Sequence, residues 1–95
     1  MEGESIMTTI YPNDTMALAA AHMAIIHYSM LGYLTSCYLD LETHSYDVTV
    51  HYRNKSKPVI LDAIKPSSTK WDERVTLEGL EIKAVTLTYQ VQNHE

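Results

Sequence analysis

The chain has 95 residues, 45% of them apolar, with 12 acidic against 7 basic side chains and a formal net charge of −5. That length allows one domain with a modest core, and the apolar fraction excludes a long disordered protein. A single cysteine, Cys37, excludes an internal disulfide, and the acidic balance argues against a protein built chiefly to hold nucleic acid.

The charge is unevenly spread. No Lys or Arg occurs from Met1 to Tyr52, while Arg53, Lys55, Lys57, Lys65, Lys70, Arg74 and Lys83 all follow. Four of the five histidines, His22, His27, His44 and His51, lie in the acidic half. Such asymmetry can orient a molecule toward a charged partner, although charge blocks usually mark a solvated face. Met1–Ile6 carries two acids and no basic region, which is not the pattern of a secretory signal. Cys37 then reads as a small buried apolar residue in a reducing compartment, and the expected location is cytoplasmic.

Residues 1–12 read as a flexible lead, with room for a short edge segment at Met7–Tyr11, and residues 13–95 as a single α+β domain. Asn13 or Asp14 can cap a helix, and Asp14 suits the positive end of its dipole. The Ala-, Met- and Leu-rich run that follows predicts a helix over about 14–31, with Gly32 as its stop. Met16, Met23 and Met30, with Ala20, His27 and Leu34 alongside, form one apolar column. Thr15, His22, Ser29 and Ser36 form a polar, uncharged one, flanked by Leu18, Ile25 and Ile26. A helix lying on a sheet should carry charge on its outer face. This one carries none, which implies cover on both sides.

From Asp14 to Asp40 there are 25 uncharged residues, long enough to span a bilayer. The two histidines, the glycine and the strand-like alternation at its end make membrane attachment the weaker reading. A homodimer explains the pattern better, with one helix face on the sheet and the other on a twofold mate.

After Gly32 the period changes to two. Cys37, Leu39 and Leu41 alternate with polar residues, as do Tyr46, Val48, Val50 and Tyr52. A hairpin with Glu42–Ser45 as linker pairs Leu41 with Tyr46, Cys37 with Val50 and Asp40 with Asp47. Pro58–Ile64 reads as a third strand, Lys65–Lys70 as a loop and Trp71–Leu77 as a short strand. Leu80–Val91 reads as the longest strand, turning in from Gly79, with Val85, Leu87, Tyr89 and Val91 inward. Ile82 falls out of that phase, which suggests a bulge near Lys83–Ala84. The expected fold is one N-terminal helix on a four- to five-stranded antiparallel sheet, arranged as a meander.

The chemistry is sparse. His22 and His27 are five apart, whereas paired helical metal ligands want three or four. Asp40, Asp47 and His51 form at best a weak metal set, and Ser67–Thr69 has no identifiable base. No phosphate loop or nucleophile motif is present, so no catalytic residue, metal or cofactor is expected. The remaining readings concern surfaces. Leu18, His22, Ile25, Ile26, Ser29, Tyr33 and Trp71 are the candidates for contact with a protein, because large apolar and aromatic residues dominate such interfaces. Arg53, Lys55, Lys57, Lys65 and Lys70 are the candidates for a nucleic-acid contact. The first expectation is a small acidic, non-enzymatic interaction protein that works as a homodimer on another protein. It would be an inhibitor, an antitoxin-like regulator or a mobile-element accessory factor. A nucleic-acid-binding regulator is the alternative, and a membrane-attached protein ranks third.

Overall fold

The structure, a computed structural model, describes residues 9–53 and 57–92. In chain order it has β1 (Ile10–Tyr11), α1 (Asp14–Met30), β2 (Leu34–Asp40), β3 (Ser45–Tyr52), a 3₁₀ turn at Asp62–Ile64, β4 (Ser68–Leu77) and β5 (Leu80–Val91). One helix packs on one face of a five-stranded sheet, the expected α+β class.

The helix begins as its sequence predicts. The Asn13 side chain accepts a bond from the Met16 amide at 2.9 Å. At the other end the chain turns at Gly32, whose φ of +98° is costly for any residue with a Cβ. The face turned to the sheet is made of alanine: Ala17, Ala20, Ala21 and Ala24, with Tyr28 closing the row. Their spacing of three, four and seven residues is a helical stripe. Small side chains leave little between helix and sheet, and Val48, Val50, Val85, Leu87, Tyr89 and Val91 fill the other side of the core.

Several expectations need correction. The sheet is mixed rather than purely antiparallel: β1 pairs parallel to β5, at Ile10–Gln90 and Tyr11–Val91. It occupies the stretch of the β5 edge left free beyond β4, whose pairing begins at Ser68–Thr88. Ile10 and Tyr11 thereby join the sheet inside the short edge segment expected at Met7–Tyr11. The strands also do not meander, because the order is β1-β5-β3-β2 with β4 on the same side of β5 as β1. Met16 and Met23 are about half exposed and Met30 is 82% exposed, so the three methionines of the apolar column turn outward, while its Ala20 turns inward with Ala17, Ala21 and Ala24.

The β2–β3 register differs by two residues from the predicted one. Asp40 faces Ser45, Tyr38 faces Asp47 and Cys37 faces Val48. The turn is built from residues 41–44, held by the Asp40 carboxylate, which accepts from the amides of Glu42 at 3.0 Å and Thr43 at 3.3 Å. His44 supplies the positive φ of 59° that closes it. A shift of two keeps every side chain on its expected face. The bulge lies in β4, between Asp72 and Val75, while β5 runs unbroken. Ile82 is out of phase because it belongs to the far face, opposite Val75.

The predicted strand at Pro58–Ile64 is an irregular segment ending in the 3₁₀ turn. Its carbonyls find side-chain donors in place of a ladder. The Tyr28 hydroxyl donates to the Val59 carbonyl at 2.7 Å, Tyr11 to Lys65 at 2.6 Å and Tyr89 to Ile64 at 3.4 Å. Three tyrosines from three elements thus pin one segment, a role phenylalanine cannot fill. Burial raises the pKa of all three hydroxyls, Tyr89 most, so they remain neutral donors.

Candidate interaction surface

The outer face of α1 continues the alanine stripe's logic in reverse. Met16, Leu18, Met23, Ile26 and Met30 are all exposed, and no charged side chain lies among them. Asp14, the one acid in the helix, sits at its start, where its Oδ1 meets His44 Nε2 at 2.9 Å and the Tyr46 hydroxyl at 3.2 Å. This ties the helix start to the β2–β3 turn and leaves the rest of the helix neutral.

Leu18, Ile25 and Ser29 share one edge of α1, by their spacing of seven and four. The Ser29 hydroxyl bonds that of Thr35 at 3.0 Å, which places this edge beside β2. On β2 the residues facing the helix side are Thr35, Cys37 and Leu39, opposite Val50, Val48 and Tyr46. Cys37 and Leu39 are both exposed, because the helix covers the middle of the sheet and β2 is its last strand. Cys37 is therefore not the buried residue its composition suggested. Desolvation, and then the Asp47 carboxylate, raise its thiol, which makes it a poor nucleophile at neutral pH. On the opposite face β2 exposes Leu34 and Tyr38.

The candidate contact residues divide accordingly. Leu18, His22, Ile26 and Ser29 lie on the open part of α1, and Ile25 is half-buried at its border with the core. Tyr33 and Trp71 belong elsewhere. Tyr33 packs against the core, edge-on to Tyr28 at 6.1 Å. Trp71, half-buried on β4, stands perpendicular to Tyr52 at 6.0 Å, with Lys57 Nζ 4.5 Å above its ring. What pattern reading missed are Leu34, Tyr38 and Leu39, exposed apolar residues of β2. Their alternation signals a strand with one buried face, and only the strand's position at the sheet edge leaves both faces open.

The basic residues are dispersed. Arg53 lines a cleft, Lys57 lies on Trp71, Lys65 is exposed beside Pro66, and Lys70 stands opposite Thr86 in the β4–β5 ladder. Lys55 lies outside the described residues. The cleft, of about 460 Å³, is bounded by the Leu31–Leu34 turn, the end of β3 at His51–Arg53, and Glu78, Leu80 and Ile82 of the β4–β5 hairpin.

Among the described residues no three His, Cys, Asp or Glu side chains converge as a metal site. The Asp47 Oδ1 atom is buried there without a hydrogen-bond partner. Ser67 is spent structurally, its hydroxyl accepting from the Gln90 amide at 2.9 Å. No described helix is long and apolar enough to cross a membrane. Compared with known proteins, the chain matches no family model, no curated sequence and no solved structure.

Proposed function

We propose that this protein is a small, non-enzymatic interaction module: a homodimer that acts by binding another protein, as an inhibitor or an accessory, regulatory factor. One observation carries the reading. The outward side of α1 exposes Met16, Leu18, Met23, Ile26 and Met30 with no charge among them. A surface helix of a solitary domain normally turns charged residues to water, and contiguous exposed apolar patches mark contact sites. Methionine suits such a role, since its flexible thioether adapts to an irregular partner surface. A cytoplasmic setting fits a chain whose single cysteine stands exposed as a thiol.

The test is affinity capture from cells with the wild-type protein and with a Met23→Glu, Ile26→Glu variant in parallel. Both positions are exposed, so the variant keeps its fold, which circular dichroism verifies. The expected result is one stoichiometric protein partner held by the wild type and lost by the variant. Absence of any stoichiometric partner, or equal capture by both, overturns the reading.

A further inference from the structure

The sheet has two outer edges, and they are built differently. On one side β4 carries Lys70, Asp72, Glu73 and Arg74, and breaks its ladder with the bulge between Asp72 and Val75. Charges and bulges are the usual devices that stop an edge strand from pairing with another chain. On the other side β2 has none of them. Its sequence, Leu34-Thr-Ser-Cys-Tyr-Leu-Asp40, holds no Lys, Arg, Pro or Gly. Its ladder to β3 is continuous over all seven residues, and it pairs with no other described strand. Asp40, its one charge, lies at the last position and is engaged in the adjoining turn. A seven-residue edge of this composition is an open template for strand addition.

We propose that the occupant of this edge is a second copy of the chain: β2 pairs antiparallel with β2 of its mate across a twofold axis near Cys37, and one sheet runs through both protomers. The proposal rests on the interaction reading above and names one of its surfaces. Three observations favour a second copy over a foreign strand. First, β2 is self-complementary. An axis at Cys37 sets Thr35 against Leu39 of the mate, Ser36 against Tyr38 and Leu34 against Asp40, so that no like charges meet. Second, the helix edge beside β2, with Leu18, Ile25 and Ser29, is uncharged, so the two helices can flank the axis without repulsion despite the net charge of −5. Leu39 and Leu18, both exposed in the single chain, come under the cover of the mate. Third, twofold pairing consumes the open β2 edge completely and leaves outside the charged β4 and the two-residue β1, too short to template a further strand, which closes the assembly at two copies. The methionine side of α1 stays free for the other partner.

The experiment combines light scattering with amide exchange on the full chain. Wild type should have twice the chain mass of 10.8 kDa. Amides from Thr35 to Leu39 should all be protected, whereas a free edge leaves alternate amides without a partner. Cys37→Lys and Cys37→Glu each place like charges face to face across the axis. Each alone should be a folded monomer with alternating protection in β2, an equimolar mixture should recover the dimer, and Cys37→Ser should stay dimeric. A wild-type monomer with alternating β2 exchange overturns the proposal together with the dimeric part of the functional reading, and leaves the capture result on Met23 and Ile26 to judge partner binding separately. A dimer that survives both charged Cys37 variants but separates on Met23→Glu also overturns it, in favour of contact through the helix.

Discussion

Removing one oxygen tests how the irregular segment is held. Tyr28 is 2% exposed, and its hydroxyl donates to the Val59 carbonyl at 2.7 Å. Tyr28→Phe keeps the ring, with its edge-on contacts to His27 at 4.9 Å and Tyr33 at 6.1 Å, and deletes only the bond. A net hydrogen bond is worth about 0.5–1.5 kcal/mol, and a carbonyl left dry costs about 1–3 kcal/mol. Val59 is 74% exposed, so water can reach its backbone when the segment loosens. The loss should therefore be about 1 kcal/mol, which lowers Tm by roughly 4–8 °C in a domain of this size. Tyr28→Ala removes the ring too and should cost about 3–5 kcal/mol. Thermal melts by circular dichroism, with urea titrations for the free energy, measure both. Tyr11→Phe acts on the same segment through Lys65, so the double variant should lose less than the two single losses together. A Tyr28→Phe protein that melts with wild type refutes the clamp, as does strict additivity with Tyr11→Phe.

Two further outcomes follow from the same geometry. The β4–β5 hairpin turns on Glu78 and Gly79, both at positive φ, 51° and 83°, which is the two-residue turn that favours Asn-Gly. Glu78→Asn should raise stability by roughly 0.5–1 kcal/mol, read as a higher urea midpoint with unchanged slope; a loss of stability would contradict the turn assignment. The pH response comes from Tyr11, Tyr28 and Tyr89, whose hydroxyls burial raises above their ordinary value of 10.0. An acid with a raised folded pKa contributes stability that is complete below its unfolded pKa and is lost as pH rises toward the folded one. Melting temperature should therefore fall steeply above pH 10, with phenolate absorbance appearing together with unfolding; phenolate formation in the still-folded protein would contradict the burial of these hydroxyls.

The element types follow from local features of the chain. Asn13 and Gly32 bracket a helix because one can accept from free amides and the other can take positive φ. The period-two runs around Val48 and Leu87 make strands, and the two-residue register difference between β2 and β3 leaves every side chain on its expected face. The uncharged helix likewise declared itself in the sequence, because the absence of charge needs no structure to be seen. Which of its sides faces inward does not follow from hydrophobicity, since alanine and methionine both read as apolar. Packing decides: the alanines fit against the sheet and leave the methionines outside. Non-local choices are hidden for the same kind of reason. The parallel seat of Ile10 and Tyr11 depends on how far β4 runs along β5, and the fate of Pro58–Ile64 depends on hydroxyls from Tyr11, Tyr28 and Tyr89, distant in the chain. Strand order alone makes β2 an edge, and so turns an ordinary alternating strand into an exposed surface. Sequence determines what each segment can form and which faces are apolar; only the tertiary structure decides which of those faces are left uncovered.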